Sequence, residues 1–252
     1  MSASGAREPG AVIAEITALG PFFALAADGG RGPGWQPLSA PLLAERVGAV
    51  RRWLAAAGGR PADAVEPRVA ASVAHLGLAA RLVSPALAAA VLHGRPLLFT
   101  LEEVRWRPVL GGPVPLSLPP RALGGPCRTP EALADRLAAG LLAGPLEELG
   151  AAFGVFGVSR HILRGNTASA VGGAAAALTR SRPEQAAATG RFTALLLGRP
   201  PLAGEGTTAD GIFRRRSCCL IYRAAPGGRG ALCGDCALDR RPAAGRVPDS
   251  PS

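Results

Sequence analysis

The stretch SAPLLAERVGAVRRWLAAA, residues 39–57, sets the fold class. Leu42, Leu43, Val47, Val50, Trp53 and Leu54 recur at three- and four-residue steps, and Glu45, Arg46, Arg51 and Arg52 fill the intervals. That period puts the apolar side chains on one face of an α-helix and the charged ones on the other. Gly58-Gly59 then stops the helix. The same period returns over residues 66–83, and Ser84-Pro85 opens a further short helix that ends near Gly94. Thr129-Pro130-Glu131 is a helix start, with Thr129 as the cap and Pro130 in the first turn. Helices are expected over residues 130–143, 145–153, 159–180 and 183–197, separated by Gly and Pro.

The middle of the chain reads differently. Residues 104–109, VRWRPV, alternate; LGGP turns at 110–113; residues 114–118, VPLSL, alternate again. This is a β-hairpin pattern, and Pro108 and Pro115 suit an edge strand. The expectation is a mainly α (α+β) chain. Residues 1–209 form a helical body with a small central β-hairpin near 104–118. Residues 210–238 form a cysteine-bearing C-terminal segment. Residues 239–252, rich in Pro, Arg and Ser, read as a disordered tail.

Composition limits the function classes. The chain has 252 residues and a net charge of +10, and its 28 positive side chains are all Arg. Ala, Gly, Pro and Arg make up 137 positions, a bias that GC-rich codons explain without selection for nucleic-acid binding. The 11 aromatics leave little stacking surface for single strands, and Arg is spread along the chain rather than gathered on a recognition helix. Apolar residues at 48% are too many for a disordered protein. No segment reads as a membrane span, because residues 11–27 carry Glu15 and Pro21 and residues 168–179 are too short. The start, MSASGAREPG, lacks the basic and apolar regions of a secretory signal, so the expected location is the cytoplasm.

Four of the five cysteines gather near the C-terminus: Cys218-Cys219, thirteen residues, then Cys233-Gly234-Asp235-Cys236. In a reducing compartment such a cluster points to metal rather than to disulfides. Four thiolates suit zinc or an iron–sulfur centre. Adjacent residues point apart, which strains one tetrahedral ion and favours a [2Fe–2S] cluster, whose two irons take two ligand pairs. Zinc is the runner-up and a structural disulfide the third reading. Cys127 stands apart and reads as an ordinary thiol. His75 lies in an apolar helix and reads as a core residue; His93 and His161 are weak ligand candidates beside four Cys. Asn166 and Ser169 read as capping or packing residues, and Trp53 and Trp106 as packing. The glycines at 29–34 lack both the spacing and the preceding strand of a dinucleotide-binding loop.

These residues resemble the FhuF-like ferric siderophore reductases. Arg215-Arg216-Ser217-Cys218-Cys219-Leu220-Ile221-Tyr222-Arg223 and Leu232-Cys233-Gly234-Asp235-Cys236 are similar to the family's RRSCCLYYR…CGDCPL. Leu78 to Leu87 looks like its ARL-SP-L stretch, and Gly165-Asn166-Thr167-Ala168-Ser169 like its GN-AS element. Two departures stand out. The spacer has thirteen residues where the family has ten, the excess falling in Pro226-Gly-Gly-Arg-Gly230, and Ala237 replaces the usual Pro. The resemblance covers about two-thirds of the chain and implies a [2Fe–2S] cluster on Cys218, Cys219, Cys233 and Cys236, which would be both cofactor ligands and the redox centre. It further implies an oxidoreductase that delivers one electron to a ferric siderophore and releases Fe(II). Hydroxamate chelates are the expected substrate class, since they are easier to reduce than catecholates. With no nicotinamide or flavin signature, the electron is expected from an external donor. The alternatives are a [2Fe–2S] electron carrier or redox sensor without siderophore turnover, and a zinc-stabilised nucleic-acid module. Arg214, Arg215, Arg216, Arg223 and Arg229 flank the ligands in sequence, either as tuning charges or as a product of composition.

Overall fold

The computed structural model describes residues 7–26, 29–209 and 211–238. The tail expected at 239–252 lies outside them. The described chain is mainly α-helical. α1 spans Pro9–Thr17; strand β1, Gln36–Pro37, follows; then α2, Ala40–Ala57, and α3, Pro67–His93. β2 (Arg105–Trp106) and β3 (Leu116–Ser117) come next, then α4 (Pro130–Leu137), α5 (Glu147–Gly154), α6 (Arg160–Ser181) and α7 (Ala186–Leu197). β4 (Gly206–Ala209) and β5 (Ile212–Arg215) close the list.

α3 is the central element. Most of its residues are buried, including Val69, Ala70, Leu78, Leu82, Leu87 and Ala88. It packs along α6, with α2, α1 and α5 around it. It is the one helix among the described residues long and apolar enough to cross a membrane, but most of that apolar stretch lies inside the protein. Alanines let its neighbours approach closely, and unbroken burial of residues 81–90 explains why that half carries no polar stripe.

Several features depart from the sequence expectation. The helix does not break before Ser84-Pro85: α3 runs through Pro85 to a left-handed Gly94, φ 62°. A proline inside a helix forfeits one backbone bond; here the Ser84 hydroxyl donates to Ala80 O at 2.7 Å, and packing on every side holds the turn. The Gly- and Pro-rich run after Leu197 contains β4, paired antiparallel with β5 in the register Gly206↔Arg215 to Ala209↔Ile212. Trp53 is 46% exposed rather than packed. Thr129 caps α4 as expected, by accepting from Ala132 N at 3.2 Å, but α4 ends at Leu137 and a wider π-helical stretch, Ala138–Leu146, replaces the rest of the helix expected over 130–143. The hairpin is present, with Arg105↔Ser117 and Trp106↔Leu116, and β1 adds a third strand to it.

Arg81 ties this sheet to α3. The side chain is fully buried and donates to the carbonyls of Val114 (2.7 Å), Ala24 (2.5 Å) and Phe22. Burial lowers its pKa to about 10, so it remains a cation at neutral pH.

Candidate metal centre

The cysteine segment lies on α3 and α6, and two glycines of α6 make room for it. A Cβ at Gly165 would sit 1.9 Å from Ser217 Oγ, and one at Gly172 would sit 2.6 Å from Phe213 Cβ. One heptad apart on α6, they form a track along which β5 and Ser217 lie against helix backbone. The polypeptide then turns at Leu220, whose φ of 68° is in the left-handed region that bulky residues avoid. That turn lets Leu220 N–H donate to Cys218 Sγ at 3.3 Å.

The thirteen-residue spacer is folded back on itself. Short 3-10 turns occupy Ile221–Ala224 and Pro226–Gly228, and Gly230 N–H donates to Tyr222 O at 2.8 Å. A Cβ on Gly230 would meet that same oxygen at 2.8 Å, so glycine is needed for the closure. Arg60 pins the loop by donating to Ala224 O (3.0 Å) and Ala225 O (2.9 Å), and Arg223 pairs with Glu66 at 2.5 Å. The extra residues noted in the sequence are thus taken up in a closed loop that returns Cys233 to the adjacent-cysteine pair.

Cys219 Sγ and Cys233 Sγ lie 3.4 Å apart. A proton between them holds the Cys219 thiol well below its ordinary pKa and pushes Cys233 up. Burial raises Cys218. Cys219 and Cys236 are buried and the other two are half-buried. Leu238 N–H donates to Cys236 Sγ at 3.3 Å, matching the bond to Cys218. Backbone N–H groups aimed at sulfur are the outer support that thiolate-bound metal takes.

The donor set fits a two-iron cluster. Two thiolates on one tetrahedral ion sit about 3.7 Å apart when each bond is about 2.3 Å, close to the Cys219–Cys233 separation. Among the described residues no three Cys, His, Asp or Glu side chains converge on a single ion position. Cys127 lies away from the group, beside α4, with Arg136 Nη1 at 3.8 Å from its sulfur.

Behind the sulfurs runs a buried polar network that the sequence did not announce. The Ser72 hydroxyl on α3 donates to Cys219 O at 2.8 Å. Asn166 Nδ2 on α6 donates to Ser72 O (3.0 Å) and Ser72 Oγ (3.1 Å). Asn166 Oδ1 accepts from Arg215 Nη1 at 3.0 Å. Arg215 Nε in turn reaches Asp235 Oδ2 at 3.3 Å, inside the C-x-x-C turn. Ser72, Asn166 and Arg215 are all at or below 2% exposure, so each bond is made away from water. Asn166, the only Asn of the chain, is neither a cap nor mere packing. Of the five arginines flanking the cysteines, Arg215 is the fully buried one; Arg214 is half-buried and donates to Cys236 O at 3.4 Å, and Arg216 and Arg229 are exposed.

His75 lies one turn after Ser72 and is buried with no partner for either ring nitrogen. It contacts Phe153 edge-on at 5.5 Å between ring centroids. Burial first, and the Arg215 charge second, lower its pKa to about 3, leaving it neutral. His161 instead faces Glu205 at 2.8 Å near the surface, and His93 faces Glu15 at 3.6 Å.

Four thiols in two pairs, N–H-supported and backed by a buried cation on a helical body, define an iron–sulfur type of segment. Residues 215–238 match the family model described as the FhuF 2Fe-2S C-terminal domain. That match is consistent with a FhuF-like family, and the domain points to a [2Fe–2S] cluster as the group held here. No curated protein and no solved structure gives a match to the chain.

Proposed function

We propose that the protein is a ferric siderophore reductase of the cytoplasm, with Cys218, Cys219, Cys233 and Cys236 as the ligands of its cluster. The [2Fe–2S] centre supplies one-electron chemistry. One electron from an external reduced donor converts chelated Fe(III) to Fe(II), and the hard oxygen donors of the chelate hold Fe(II) far more weakly.

A cleft of about 520 Å³ beside Cys233 is the observation that carries the reading. Leu54, Ala57, Ile221, Ala224 and Leu232 line it, and among the described residues no charged side chain does. Leu232 is 45% exposed at its rim. An electron acceptor placed there lies against a half-buried ligand sulfur, where transfer distance is short. The volume is in the range of small-molecule sites. Three hydroxamates cancel the charge of Fe(III), whereas three catecholates leave the complex trianionic, so the uncharged lining suits the hydroxamate class.

The test is stopped-flow mixing of reduced, reductant-free protein with a panel of ferric siderophores. Cluster reoxidation should keep pace with Fe(II) capture by a ferrous chelator, and hydroxamates should react fastest. Cys127→Ser should retain the visible spectrum and turnover, while Ser at any of the four ligand positions should weaken or shift the spectrum. Reoxidation no faster than in buffer would favour a plain electron carrier or sensor.

A further inference from the structure

Arg215 closes β5 three residues before Cys218, and its side chain has 0% exposure. Its guanidinium meets Asn166 Oδ1 (3.0 Å), Gly165 O (3.2 Å) and Asp235 Oδ2 (3.3 Å), and its backbone N–H donates to Asp235 O at 3.1 Å. Asp235 sits between Cys233 and Cys236, with its side chain 20% exposed. A buried ion pair is a weak source of stability, because desolvation offsets the attraction. This one places two opposite fixed charges within the metal-binding segment, the cation wholly shielded from salt and solvent and the anion partly so.

We propose that Arg215 and Asp235 are the paired positioning charges that set the reduction potential of the cluster, Arg215 raising it and Asp235 lowering it. The proposal rests on the cluster reading above. Two Fe(III), two sulfides and four thiolates carry a net charge of −2, and the added electron makes it −3. A fixed cation favours the more negative state and a fixed anion opposes it. Arg216 is exposed, so water and salt screen its field, and Arg223 is paired with Glu66 on the body. Of these three, Arg215 is therefore the least screened charge; Arg214, half-buried on the same strand, donates to Cys236 O at 3.4 Å and acts beside it. Asn166 and Gly165 fix the guanidinium from α6, so the charge does not swing away when the cluster is reduced.

The experiment is a potentiometric titration of the full cluster-loaded chain, followed by visible absorption and by the electron paramagnetic resonance of the reduced state. Arg215→Gln should lower the midpoint potential, by on the order of a tenfold change in the electron-transfer equilibrium, which is 59 mV for one electron. Asp235→Asn should raise it. Arg215→Lys should recover most of the wild-type value, and Arg216→Gln should leave it nearly unmoved. A purely structural clamp would not give shifts of opposite sign in variants that keep the wild-type spectrum. If Arg215→Gln fails to hold the cluster, Asp235→Asn and Arg215→Lys decide by themselves. An unmoved or lowered potential in Asp235→Asn overturns the proposal. Absence of iron, sulfide and visible absorption from the wild type would instead overturn the cluster reading beneath it.

Discussion

A methyl group at position 165 would collide with the Ser217 hydroxyl, at 1.9 Å from its oxygen, and α6 cannot yield there because its backbone is tied into the helix. The strain falls on the cysteine segment. Gly165→Ala should therefore cost about 1–3 kcal/mol, as overpacking does, and weaken the visible absorption while the helical circular dichroism persists. An unchanged spectrum and melting temperature would show that Ser217 has room to move. Gly165 and Asn166 were visible in the sequence as a motif, but their jobs were not. Asn166 meets Arg215 49 residues away, and no local period or spacing records such a pairing. The cysteines were legible because their spacing is local. Arg215 was legible only as one member of a basic run, since the burial that separates it from Arg216 is a property of the folded chain.

At the scale of elements, the apolar period located the long helices but misjudged their interruption. Pro85 is a strong local stop, yet α3 is enclosed on all sides, and tertiary packing outweighs a local loss of about 3 kcal/mol. β4 was hidden for the converse reason. Gly206 reads as a breaker, but a Cβ there would meet the Phe213 ring at 2.3 Å, so the strand needs its glycine. The α3–α5 contact also stores a pH dependence. His75 has a folded pKa of about 3, below its unfolded value of about 6.5. Between those values the unfolded state binds the extra proton, so stability is full above pH 6.5 and falls as the pH falls. From pH 6.5 to 5 the loss attributable to His75 should be on the order of 2 kcal/mol. His75→Met should flatten that part of the melting-temperature profile; equal slopes for both proteins would assign the acid sensitivity to other groups.

For the whole molecule, the expected division at residue 210 becomes a proposal about dependence. Phe213, Leu220 and Ala224 are buried in the same apolar core as the helices. We expect a chain cut before residue 210 to keep its helical circular dichroism and be colourless. It should lose on the order of 4 kcal/mol with Phe213 and Leu220, seen as a melting temperature lower by roughly 10 °C. Loss of the helical signal altogether would mean that the segment and the body fold as one unit.

The buried chain of bonds from Cys219 O through Ser72, Asn166 and Arg215 to Asp235 also bears on how the protein matures. It joins the two cysteine pairs by way of the two central helices rather than through the loop between them. If the four cysteines hold the cluster, docking of α3 and α6 is what brings them together, and cluster delivery is expected late, on a folded scaffold. Binding energy gained at the sulfurs would then be shared with the helix pair, so protease should cleave the chain without a cluster faster than the loaded chain.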